Sequence, residues 1–333
     1  MKIKTGLFGG KGRLSVEGGM KAKEVEVGRE LVVDGDCVAE SIDVGGSFEV
    51  KGKTEAESID VGGRLAASGS VKATTIDVGG SVGVQSAVNV GRMDVGGRVI
   101  VNGGRIGKVE VGGSLESNAS LDFDFIDVGG RVKLVGETKG GDVDVGGSFR
   151  VDGDLRFGKI DVGGVVKIIG SAEGDSLDVG GKLLVEKFLT LSDTLEVGGK
   201  ADVEGDLAAH AINIGGKVEA YQITAKDSVS VGGAMVTEGG VDASYVKIGR
   251  QGRVKGAIRA DEVLIRSGAR VEDIHGGKIT MERGAHAKNV YGESVHIESR
   301  CRVEGEIQYT SSLETERGVQ FTKNPVKVAA LPQ

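Results

Sequence analysis

A Val/Ile-Gly step recurs through most of the chain, with its glycine at Gly28, Gly45, Gly62, Gly79, Gly96, Gly112, Gly129, Gly146, Gly163, Gly180, Gly198, Gly215, Gly232 and Gly249. The interval is 17 in eleven of the 13 steps, with a single 16 and a single 18. Self-similarity on that scale marks a stacked repeat, in which no unit buries its apolar face alone. The unit Ser41-Ile42-Asp43-Val44-Gly45-Gly46-Ser47-Phe48-Glu49-Val50 shows how it works. Ile42 and Val44 share one face with Asp43 opposite, and Phe48 and Val50 share the next with Glu49 opposite. That is strand alternation, interrupted by glycine. A helical repeat would need apolar residues at i, i+3 and i+4, and would not carry 59 glycines in 333 residues. With two prolines, both near the C-terminus at Pro325 and Pro332, collagen is excluded as well.

Three short strands and three corners per repeat describe one coil of a single-stranded, three-sided parallel β-helix, a β-solenoid. Each residue then stacks on its equivalent one coil away, about 4.8 Å along the axis. Inward columns form from like side chains: Ile42, Ile59, Ile76 and Met93, then Val44, Val61, Val78 and Val95, then Phe48, Leu65, Val82 and Val99. Such columns fill a thin core, which suits a chain with 4% aromatics and no tryptophan. Glycine at the corners admits positive φ and close approach of successive coils. Beyond Gly249 the beat persists at Ile265, Met281, Ile297 and Leu313 with a different corner. The expected fold is all-β, with about 18–19 coils of about 16–18 residues. Its parts are an N-terminal segment (1–8), glycine-doublet coils (9–249), coils of the second type (250–321) and a flexible tail (322–333).

Gly252-Arg253-Val254-Lys255-Gly256-Ala257-Ile258-Arg259-Ala260-Asp261-Glu262-Val263-Leu264-Ile265 resembles the coil wording of bactofilins, as does Cys301-Arg302-Val303-Glu304-Gly305-Glu306-Ile307. The resemblance covers about residues 240–310. Over the glycine-doublet coils it is one of architecture more than wording. It implies a right-handed β-helix and a polymer-forming cytoskeletal protein. It also implies non-polar filaments made without nucleotide, acting as scaffolds at membrane surfaces or with envelope-associated proteins. Two departures stand out: this solenoid is far longer than the family domain, and Leu7-Phe8 is only a faint counterpart of the family's N-terminal membrane motif.

The candidate polymer interface is Leu7, Phe8, Leu14 and Val16 at one end and Val303, Ile307, Leu313, Val319 and Phe321 at the other. A solenoid exposes strand edges at its ends, and neither terminus offers an evident capping helix. Residues 1–246 sum to −11 and residues 247–333 to +4, which favours head-to-tail joints, against the non-polar filaments of the resemblance. An outward column two residues before each glycine gives a second candidate, a lateral or cation face of Asp43, Asp60, Asp77, Asp94, Asp127, Asp144, Asp161 and Asp178. Stacked carboxylates repel, and Arg64, Arg98, Arg131, Lys182, Lys200 and Lys217 across the corner could offset them. The alternative function is a monomeric binding platform for a peptide, glycan or cation on that face.

Catalytic readings find little footing. His210, His275, His286 and His296 do not share one corner at this period, and near-constant coil lengths leave no loop for a cofactor cleft. No phosphate-loop spacing accompanies the glycines. Cys37 and Cys301, near opposite ends of the chain, suit neither a disulfide framework nor a metal site. The expectation is a non-enzymatic cytoplasmic protein whose partner is itself, with no cofactor, no metal and no nucleic acid, associated with membranes as the resemblance implies.

Overall fold

A computed structural model of the chain describes residues 2–5 and 12–332. It is all-β, with no helix among the described residues and parallel strands stacked as a β-solenoid of about 19 turns. Contacts divide the chain into two compact units, Met1–Gly163 and Gly164–Gln333.

In the first unit each turn contributes a strand before the glycine doublet, such as Ser41–Val44, and one after it, such as Ser47–Val50. The third side begins as the two-residue strands Met20–Lys21 and Cys37–Val38. From Thr54–Val61 to Thr138–Val145 it runs unbroken round its corner into the next pre-glycine strand, and it divides again into Leu155–Arg156 and Lys159–Val162. Register is strict: Ile42 faces Ile59, Asp43 faces Asp60 and Val44 faces Val61 across one coil step. Leu31, Ile42, Val44, Phe48, Val50, Ile59 and Val61 are fully buried, so the inward columns read from the alternation are the core.

The doublet glycines are needed for spacing rather than for torsion. No corner doublet from Gly45-Gly46 to Gly232-Gly233 has a positive φ. A Cβ on Gly45 would sit 2.4 Å from the carbonyl oxygen of Gly28, and one on Gly62 would sit 2.3 Å from that of Gly45. The coils at this corner are already joined by Gly62 N–H donating to Val44 O at 2.9 Å and Arg64 N–H donating to Gly46 O at 3.1 Å. A side chain there would part them. Of the two reasons offered by the sequence, close approach is the one at work.

The second unit keeps the doublet corner as far as Gly232-Gly233, and its strands lengthen to 15 residues in Lys217–Val231 and Ala234–Ile248. Its last corners use a tight turn instead. Gln251, Gly268, Gly284, Arg300 and Gly318 occupy successive left-handed positions at φ of 56°, 71°, 72°, 62° and 82°. The residue after the turn points inward, and Ala269, Ala285 and Cys301 are fully buried there. Three glutamates close the turns from the next coil. Glu282 accepts from Ser267 N–H (3.0 Å), Glu298 from Arg283 N–H (2.9 Å) and Glu316 from Ser299 N–H (2.9 Å).

Residues 322–332, read from the sequence as a tail outside the coils, hold one further strand. Val326–Lys327 pairs in parallel with Ile307–Thr315 through Gln308↔Val326 and Tyr309↔Lys327. The alternation that would have signalled it is missing because Val326 is 51% exposed and needs no apolar face.

Candidate functional site

The C-terminal end face is built by Ile307–Thr315 and Gln320–Phe321. Leu313 stands above Val295 and not, as the 16-residue beat from Met281 to Ile297 predicts, above Ile297. The last coil lengthens to 18 residues and sets Thr315 over Ile297; Phe321 stands above Val303. Val295 and Val303 are buried at 2% and 0% exposure, whereas Leu313, Val319 and Phe321 are only half-buried. The residues expected at this end therefore separate. Val303, at 0%, lies beneath Phe321, and Ile307, at 1%, opens the end-face strand itself and is buried beside the added strand Val326–Lys327. Leu313, Val319 and Phe321 form the half-covered row. At the other end Leu14 and Val16 share the columns of the fully buried Leu31 and Val33, but are themselves half-buried. Leu7 and Phe8 lie outside the described residues.

The acidic column is a continuous ladder in the first unit. Glu26, Asp43, Asp60, Asp77, Asp94, Glu110, Asp127, Asp144 and Asp161 face one another coil by coil. In the second unit Asp178 faces Glu196, and the ladder then passes to Asn213, Ser230 and Lys247. Neighbouring carboxylates at this spacing repel by about 1 kcal/mol even in bulk water. Partial desolvation, then Asp43 and Asp77, push the Asp60 carboxyl above the usual carboxylate range. Partial desolvation, Asp127 and Asp161 do the same to Asp144.

The cations that offset the ladder are not those expected across the corner. Arg98 binds Glu116 (2.9 Å), Lys200 binds Glu219 (2.6 Å) and Asp202 (2.9 Å), and Lys217 also turns to Glu219. Arg92 and Lys108, on the same side as the ladder, touch it instead: Arg92 reaches Asp94 (3.8 Å) and Glu110, and Lys108 reaches Glu110 (2.8 Å). Their hydrogen bonds, with Lys108 leading, hold Glu110 below the ordinary range. Sequence reading missed this pair because it looked across the glycine corner. The two residues stand in register beside the acids, at the equivalent of Thr75.

The remaining polar candidates do not converge. His275 stacks on Tyr291 with ring centroids 4.7 Å apart, and His296 Nδ1 lies 3.3 Å from Glu314. Among the described residues no three His, Cys, Asp or Glu side chains are placed to hold a metal ion. Cys37 and Cys301 are free and buried, and burial pushes the Cys37 thiol up to about 12. No helix among the described residues is long and apolar enough to cross a membrane. In the first unit a trough of about 750 Å³ crosses the post-glycine side, where Ala66 and Gly83 shorten the surface between Arg64, Gln85, Asn102 and Asn118.

Fold and surfaces together define a β-solenoid repeat protein with an acidic ladder along one side. No family model, curated protein or solved structure matches the chain.

Proposed function

We propose that this chain is a structural protein that self-assembles end to end into nucleotide-independent filaments and serves as a scaffold. The observation that carries the reading is the half-covered row Leu313, Val319 and Phe321, standing on columns that are otherwise fully buried. A second copy stacked on this face would continue those columns. Completing the burial of three such side chains contributes on the order of 1 kcal/mol each. That falls short of the association cost of about 4–15 kcal/mol. Strand-edge hydrogen bonds must therefore supply part of each joint, as in other β-augmentation. The resemblance of residues 252–265 and 301–307 to bactofilin coils supports the same reading. It extends the partners to membrane surfaces and envelope-associated proteins.

Negative-stain electron microscopy of the full chain without nucleotide, over a concentration and salt series, tests the proposal. Filaments of uniform width are expected, and Leu313→Asp or Phe321→Asp should shorten or abolish them. Single particles at every concentration would refute it. The monomeric binding platform is favoured by one observation, the run Asp43, Asp60 and Asp77, for which no cation partner appears among the described residues. On that reading, calcium titrated into the monomer should give heat that is lost in Asp60→Asn with Asp77→Asn.

A further inference from the structure

Residues 322–332 add only the two-residue rung Val326–Lys327 to one side of the solenoid's end and then turn back. Val326–Lys327 occupies the free edge of Gln308–Tyr309, one of the three sides of the last coil. The segment is pinned before this strand by Lys323 Nζ on Glu306 (3.1 Å) and after it by Val328 N–H donating to Tyr309 O (2.9 Å). Gly276, Gly292, Tyr309 and Lys327 are successive rungs of one ladder. Yet Pro332, only a few positions after Lys327, borders a shallow surface depression together with Ala243, Arg259, Ala260, His275 and Gly276. Three coil steps are about 14 Å. The stretch from Lys327 to Pro332 spans at most about 17 Å. The segment bends at Ala329 and Ala330 and runs back down the side of the second unit as a strap.

We infer that residues 322–332 are a self-docked cap, paired on the Gln308–Tyr309 edge and laid against the shallow depression at Arg259 and His275, and that a second copy competes with it for the end face. The inference rests on the end-to-end reading and adds its regulation. A parallel strand arriving on the last coil needs the edge that Val326–Lys327 already fills, while the sides carrying Leu313 and Phe321 stay half-covered. Docking is then limited by the fraction of molecules whose strap is released, and the apparent affinity falls by that fraction.

The test uses the full chain in two opposed forms. Gln308→Cys with Val326→Cys places thiols on facing residues of adjacent strands, a separation a disulfide can bridge. The native cysteines are buried and do not compete. Lys323→Glu with Val328→Pro removes the ion pair and the N–H that hold the strap. Assembly is followed by sedimentation and electron microscopy. The oxidised, locked variant should remain unassembled and recover on reduction. The released variant should assemble at a critical concentration about tenfold lower, if release raises the open fraction from about a tenth to nearly all. Wild-type filaments with a locked variant that assembles equally well oxidised and reduced would overturn the cap alone. No filaments from wild-type, reduced or released chains would overturn the end-to-end reading and the cap with it.

Discussion

Gly62→Ala should destabilise the first unit, and the geometry says by how much. The new Cβ would stand 2.3 Å from Gly45 O, where real Cβ contacts do not fall below 3.0 Å. Successive coils must part locally by about 0.7 Å, the difference of those two distances. The bond from Gly62 N–H to Val44 O, now 2.9 Å, would open to about 3.6 Å, beyond hydrogen-bonding range. Overpacking of this kind costs about 1–3 kcal/mol. The lost backbone bond adds about 1 kcal/mol. Alanine's lower unfolded-state entropy returns about 0.4–1 kcal/mol. A net loss of about 1–4 kcal/mol follows.

Gly83→Ala is the matched control. Gly83 also lacks a positive φ, but its added Cβ meets nothing within 4 Å, so alanine there should be neutral or stabilising by up to about 1 kcal/mol. Hydrogen exchange at the amides of Gly62 and Arg64 reads the local effect, and a urea titration followed by circular dichroism reads the whole. Long repeat arrays need not unfold in one step, so the exchange rates are decisive. If Gly62→Ala protects those amides as well as wild type, or Gly83→Ala loosens its coil as much, the spacing argument is wrong.

Three other outcomes follow from the structure. Asp60 and Asp144 titrate above their unfolded values, so their contribution to stability is highest below the unfolded pKa and falls as pH rises through the folded one. Asp60→Asn should therefore raise the urea midpoint at pH 7 in low salt; the gain should shrink at high salt and vanish below about pH 4, and a gain that persists there would refute ladder repulsion. Arg300 holds a left-handed φ of 62° that glycine adopts freely at Gly284 and Gly318, so Arg300→Gly should raise stability by about 1 kcal/mol, measured by thermal melting. Both cysteines should resist a thiol reagent at pH 8 in the folded chain and react fully in denaturant, because burial holds Cys37 and Cys301 protonated; fast native labelling would contradict their placement.

The sequence by itself determined the solenoid. A period of 17 with strand alternation leaves one arrangement in which Ile42, Ile59 and Ile76 stack inward while Asp43, Asp60 and Asp77 stack outward, because side chains on a strand alternate and parallel coils stay in register. It also marked Leu313, Val319 and Phe321 as the apolar end, but set Leu313 over Ile297; only the structure put it over Val295. Only the tertiary structure decided which cations meet the acidic ladder. Arg64 and Arg92 look equally close in a repeat diagram, and reach across a corner depends on side-chain direction. It alone separated Val303, beneath Phe321, and Ile307, beside the added strand Val326–Lys327, from the half-covered row. The strap was invisible for a related reason. Its strand pairs through backbone N–H and C=O groups, which every residue but proline carries in full, so its side chains record neither the edge it covers nor the direction in which it turns back.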